Sequence, residues 1–465
     1  MNDSRSTRWP WVLGIGCLLV LVLGLLHWRP GKTPSQTSDS TSRSSVNADA
    51  AAGDLKSVRP PRARPATPQT AEESVSSKVR QFARLRREYV YGLSRRANKQ
   101  VPTDVEEFFD ALERGNWEEI ESRFKAFRDR SGQYEGSGHS PELDEIWPAV
   151  LDAYGAAQEA HIWPAQKLLD YGNAVLDSLR PGMVYVGGTD PGRWIPALLN
   201  DTSDGERHIV LTQNAFADKR YLDYVEFVYG DRFTALTHAD SERAFAEYMA
   251  DAQKRFDHDR QFPNEPRQVR PGEDLKMVDN RFQVSGQVSV MDINERLFKT
   301  LLEKNPDLSF AMEESFPFKS VLADASPLGP IMEVSPLDQQ NALTPERASE
   351  TVDYWRNATG QLLNDPDAQA SDAVRKSYSK LLSSQAGLFE QRKHTAEAEQ
   401  LLRLANEVCP YSPEAVFRYC NLLITQGRVN ETLPVVQNAI RADPNNQSFQ
   451  NLQTELNRLA RNQRR

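Results

Sequence analysis

Four polar side chains stand just past two short β-forming runs. Asp190 and Arg193 follow VYVGG (184–188), and Asn214 and Asp218 follow HIVLTQ (208–213). An arginine can hold a carboxylate or phosphate, and carboxylates can hold sugar hydroxyls or a metal ion. Ligands of open α/β sheets bind beyond the carboxyl ends of the strands. If the two runs are parallel neighbours, the four side chains share one rim. A second reading needs no ligand. Gly187 and Gly188 let the chain turn at the strand end, with Gly192 completing the turn. Asp190 fits a helix N-cap, Pro191 the first helical position, and Arg193 an exposed place in the first turn. The well-capped corner is the preferred reading, and the ligand rim is the alternative.

Each run leads into a helical pattern, RWIPALL and KRYLDYVEFVY. This strand–helix–strand–helix rhythm predicts an α/β domain with a mainly parallel sheet over 181–344. RFQVSGQVSVM, LSFAMEES and GPIMEVSP read as further strand pieces, and INERLFKTLLEKN as a helix. Glu313 and Glu314 are not a catalytic pair, because neighbours in a strand point to opposite faces.

Other catalytic signatures do not occur. The chain has no GxxxxGK[ST], HExxH or GxSxG, and GGTDPG is not the dinucleotide fingerprint GxGxxG. No cofactor and no metal site are expected. The seven histidines are scattered, and Asp257-His258-Asp259 reads as a solvated acidic turn. A net charge of −9 argues against nucleic acid as a partner, since no basic excess exists to neutralise phosphates. Three cysteines, Cys17, Cys409 and Cys420, are not a disulfide framework.

Residues 9–28 form an apolar run with tryptophans at both ends, long enough to span a bilayer. The expected organisation is a cytoplasmic tail and single transmembrane helix over 1–29, then a Ser/Pro/Ala-rich tether over 30–77. This places the chain in the cytoplasmic membrane with its C-terminal part outside. A helical region is expected over 78–180. Within it Thr103 and Glu106 have capping-box spacing, and Gly115-Asn116 separates two apolar stripes, which predicts a helical hairpin.

Residues 345–465 read as helical, with a repeat at about 379–446. Pro410 and Pro444 lie 34 residues apart, as do Ala405 and Ala439, and Leu402 and Val436. Ala386 and Ala398 take small positions, Phe389 a large one, and Gly427 a turn. A helix–turn–helix period of this length is similar to the tetratricopeptide repeat. Such repeats bind protein or peptide partners.

The segments LRPGMVYVGGTDPGRWIPALL, IVLTQNAFADKRYLDYVEFVYGDR, FAMEESFPF and GPIMEVSP resemble one bacterial family. They look like the extracytoplasmic C-terminal part of multi-spanning, protein O-mannosyltransferase-like glycosyltransferases that use lipid-linked sugars. The likeness covers about 170–450, and the family's many-helix membrane half has no counterpart here. The preferred expectation is therefore a membrane-anchored binding or scaffold protein with an α/β docking domain and repeats. The alternative that the resemblance implies is an accessory or partial glycosyltransferase working with a multi-spanning membrane partner.

Overall fold

The structure is a computed structural model that describes residues 69–133, 137–278, 281–334 and 343–463. Helix makes up 66% of these residues. Among them no helix is long and apolar enough to cross a membrane. The span expected over 9–28 lies outside the described residues. Over the described residues the fold class is corrected accordingly, to a mostly helical fold around a mixed sheet, with no membrane-spanning helix among them.

The N-terminal helices are α1 (Ala71–Arg96), α2 (Thr103–Arg114), α3 (Trp117–Arg128), α4 (Trp147–Ile162) and α5 (Ala165–Leu176). α1 begins inside the stretch expected to be tether. Thr70 and Glu73 form a capping box there, each side chain bonding to the other residue's amide. The box expected at Thr103 does not form: Pro102 is the N-cap, and Glu106 instead accepts the Tyr91 hydroxyl at 2.7 Å. Gly115 ends α2 in the left-handed conformation at φ 73°, which makes the α2–α3 hairpin.

The central region runs β1 (Val184–Gly187), α6 (Asp190–Asp201), β2 (Ile209–Thr212), α7 (Lys219–Tyr229) and α8 (His238–Gln261). It continues with β3 (Asp274–Val278), β4 (Arg281–Ser285), α9 (Gln287–Lys304), β5 (Phe310–Met312), α10 (Lys319–Leu322), β6 (Ala325–Leu328) and β7 (Ile331–Val334). The main sheet has the order β2-β1-β5-β7-β6. β1 pairs parallel with β2 and β5, while β7 pairs antiparallel with β5 and β6. The sheet is therefore mixed, because β6 returns through a tight turn as β7 instead of crossing over a helix. β3 and β4 form a separate ribbon. The strand expected over RFQVSGQVSVM stops at Ser285, and Gly286, at φ 94°, turns the chain into α9.

The C-terminal helices are α11 (Pro345–Asn364), α12 (Pro366–Ala370), α13 (Asp372–Gln391), α14 (Thr395–Val408), α15 (Pro413–Thr425), α16 (Val429–Ala442) and α17 (Gln447–Gln463). Backbone geometry recurs at the 34-residue interval. Lys393 and Gly427 are both left-handed, at φ 65° and 76°. The next amides, of His394 and Arg428, donate to Phe389 and Leu423 at 2.9 and 2.8 Å. Ala386, Phe389, Ala398, Leu402, Ala405, Val436 and Ala439 are all buried, while Pro410 and Pro444 lie in the turns that follow α14 and α16. Helix pairing of this kind is compatible with a repeat. Cys409 and Cys420 are buried free thiols.

One apolar cluster runs from Val75 to Leu423, across the boundaries expected at 180 and 344. A smaller cluster, including Val436, Phe449 and Leu456, binds α15, α16 and α17 together.

Candidate functional site

Parallel pairing of β1 with β2 and β5 puts three loops at one end of the sheet: 188–189, 213–218 and 313–318. In the first loop Thr189, not Asp190, is the N-cap of α6. Its hydroxyl accepts the Gly192 amide at 3.0 Å, and Asp190 and Pro191 become the first two helical residues. The displacement has a local cause. Thr189 Oγ1 also donates to Glu313 Oε1 at 2.7 Å, and an aspartate at that position has no proton to give.

Glu313 is the residue that sequence reasoning missed. Its Oε2 accepts the Gly188 amide at 2.9 Å and the Thr189 amide at 2.7 Å. A buried carboxylate thus occupies the amides that an exogenous anion would use at a helix N-terminus. Burial pushes its pKa above the usual carboxylate range, and these hydrogen bonds oppose the shift. Two glycines make room for it. A Cβ on Gly192 would fall 1.9 Å from Glu313 Oε2, and one on Gly188 2.3 Å from the Glu313 carbonyl oxygen. The available signal was topological: a third parallel strand must place its following loop on the same rim.

Asp190 and Arg193 meet, with Nη2 donating to Oδ1 at 2.8 Å. Arg193 is not the exposed residue expected. It is 8% exposed, and its guanidinium lies 4.1 Å from the centroid of the Trp194 ring. Asn214 joins the rim by donating to the Gly188 carbonyl at 3.2 Å and to Ser315 Oγ at 3.3 Å. Asp218 caps α7 instead, accepting the Arg220 amide at 2.9 Å, and forms an ion pair with Arg220. Three of the four expected side chains therefore lie around the first turn of α6, and the fourth is used elsewhere.

Beside this turn α4 contributes Glu159, which is buried. Burial, reinforced by the Asp190 carboxylate, pushes the Glu159 carboxyl up to about 7, against the opposing pull of Trp163 and Arg193. The Trp163 ring packs 5.1 Å from Tyr171. Trp163 Nε1 and Tyr171 Oη are buried with no hydrogen bond of ordinary geometry, although the indole lies near enough to Glu159 to favour its charged form. Behind α6, a cavity of about 20 Å³ is lined by Arg86, Asp152, Arg193, Trp194, Thr212 and Tyr224 among others. That is room for about one water molecule. Arg86 anchors α1 there through ion pairs of 2.8 Å to Asp201 and 3.3 Å to Asp152.

No family model, no curated protein and no solved structure matches this chain.

The loop after β5 has a second side. Glu314, fully buried, accepts Arg418 Nη2 at 2.7 Å, so adjacent carboxylates are held by opposite parts of the molecule. Arg418 also pairs with Glu414, which pairs with Lys380. α13 grips the main chain of the same loop and of the first residue of α10. Lys380 Nζ, Ser384 Oγ and Gln391 Nε2 donate to the carbonyl oxygens of Ser315, Glu314 and Lys319 at 2.9, 3.4 and 2.6 Å. Among the described residues, no group of three or more His, Cys, Asp or Glu is placed to hold a metal ion.

Proposed function

We propose that this chain is a binding and scaffold protein. A docking unit built on the five-stranded sheet carries a tetratricopeptide-like array, and the array holds an extended peptide by its main chain. The observation that carries this reading is the grip of α13 on residues 314–319. Lys380, Ser384 and Gln391 are spaced four and seven residues apart, on one helix face. Donors so arranged take carbonyl oxygens whatever the side chains of the held segment. The chain's own loop fills the start of this face. Arg418 continues it onto α15, and Asn421 follows one turn later, partly exposed. A partner peptide would extend along α15 from there.

The test is crosslinking and affinity purification of the full chain from its native cells. Asn421→Arg should lose the partner, and Asp190→Asn should keep it. The reverse pattern would move the function to the first turn of α6. That outcome belongs to a second reading, in which the chain is an accessory in glycosyl transfer beside a multi-spanning partner. Its support is the pairing of a carboxyl that titrates near neutrality, Glu159, with the Asp190 carboxylate.

A further inference from the structure

The β3–β4 ribbon stands apart from the main sheet. α8 and α9 pack on β4, which leaves β3 outermost. Asp274, Lys276, Met277 and Val278 are exposed, and only Leu275 of β3 is half-buried. The cross-strand register sets the faces. Leu275 and Met277 share the inner face with Val284 and Phe282, and Asp274 and Lys276 share the outer face with Ser285 and Gln283. Among the described residues no strand pairs with the free edge of β3.

A free edge offers unpaired amides and carbonyls to any other strand, and proteins blunt such edges with short strands, charged side chains, proline, bulges or inward-pointing charge. β3 has no proline, bulge or inward-pointing charge, and what guards its edge is the outer pair of charges, Asp274 and Lys276. Its five residues pair with β4 in unbroken register, and its charges sit on the outer face. Those charges are self-complementary. In an antiparallel pairing of two β3 strands about a two-fold axis at Leu275, Asp274 of each copy lies opposite Lys276 of the other. The next register with the same faces inward, centred on Lys276, would set two lysines directly opposite each other, which is unfavourable.

We propose that β3 is a self-association edge that joins two copies of this chain through a four-stranded sheet centred on Leu275. The occupant of the edge is a second copy because the charge pattern is complementary to itself: Asp274 and Lys276, which pair along their own strand at 3.2 Å, would each also face the opposite charge of the other copy. The contact is independent of what the helical array binds.

Sedimentation equilibrium of the full chain across a concentration series tests this. The parent protein should show a monomer–dimer equilibrium that weakens with salt, since the two ion pairs are exposed. Lys276→Asp, which sets Asp against Asp at both pairs, should raise the dissociation constant roughly ten-fold or more. Asp274→Lys combined with Lys276→Asp restores opposite charges and should restore the dimer. Circular dichroism should be unchanged in all three. A parent protein that stays monomeric, a dimer indifferent to Lys276→Asp, or a double variant that stays as weak as the single one would each overturn the proposal.

Discussion

Glu313 closes the turn at Thr189: the two residues are joined by two hydrogen bonds of 2.7 Å, one from the Thr189 amide and one from its hydroxyl. With the Gly188 amide added at 2.9 Å, three donors at the start of α6 have their acceptor inside the protein. Glu313→Ala should therefore cost about 2–6 kcal/mol, because a buried and a part-buried amide lose their partner at about 1–3 kcal/mol each. Glu313→Gln keeps an acceptor oxygen and should cost about half as much. Urea unfolding of the two variants measures both losses. Equal losses would mean that charge, and not the acceptor, holds the turn.

Gly192→Ala puts a Cβ where the Glu313 carboxyl stands. It should destabilise the parent by about 1–3 kcal/mol through overpacking and should be nearly neutral in a Glu313→Ala background. A double-mutant cycle reads the difference, and additive losses would separate the two residues.

At the Asp190–Arg193 pair the two ends should differ. Asp190 is about one-third exposed at its side chain, so Asp190→Asn should change stability by less than about 1 kcal/mol. Arg193 is buried over Trp194, and Arg193→Ala should cost about 1–3 kcal/mol through lost packing and the lost ion pair. Thermal unfolding of both variants tests the asymmetry. A silent Arg193→Ala would return this residue to the solvent-exposed role that its sequence position suggests.

Glu159 should make stability depend on pH. Its carboxyl ionises near 4.5 when unconstrained and near 7 in the folded chain, so the folded state holds the proton more tightly. The contribution is present in full below pH 4.5 and is lost as pH rises through 7, by about 3 kcal/mol in all. Glu159→Gln removes this titration. Its unfolding free energy should gain on the parent's between pH 5 and pH 8, measured by denaturant unfolding at each pH. Parallel curves would show that Glu159 is ionised throughout.

Residues 345–465 should not fold alone as they do in the whole chain, because α11, α13 and α14 share their apolar cluster with the sheet. Expressed separately, they should unfold with low cooperativity by circular dichroism. Within the whole chain, Arg418→Met should cost about 3–5 kcal/mol by leaving Glu314 buried without its counter-charge. A sharp, stable transition for the fragment would make the array an independent domain.

The sequence displayed the parallel half of the sheet clearly. VYVGG and HIVLTQ are continuous apolar runs, each followed by a helix, and they lie side by side as β1 and β2. The antiparallel half was harder to read, because β6 carries Ser326 and Pro327, which are poor strand formers tolerated at an edge. The corner was legible except for its cap. Thr189 and Asp190 are both capping residues, and only the donor needed by Glu313 decides between them. Glu159 and Trp163 carried no local signal. They reach the turn because α4 packs on α6, a relation set by tertiary contact rather than by spacing in the chain.

The opposite commitments of Glu313 and Glu314 make chain length itself a constraint. One carboxylate secures the start of α6 and the next secures α15, and which does which follows from a single alternation of the backbone. Inserting one residue between Met312 and Glu313 would exchange their directions, so that each acid faced the other's partner. Both fastenings would open together, although no side chain had been altered. An insertion there should therefore be tolerated far less well than a substitution at either glutamate.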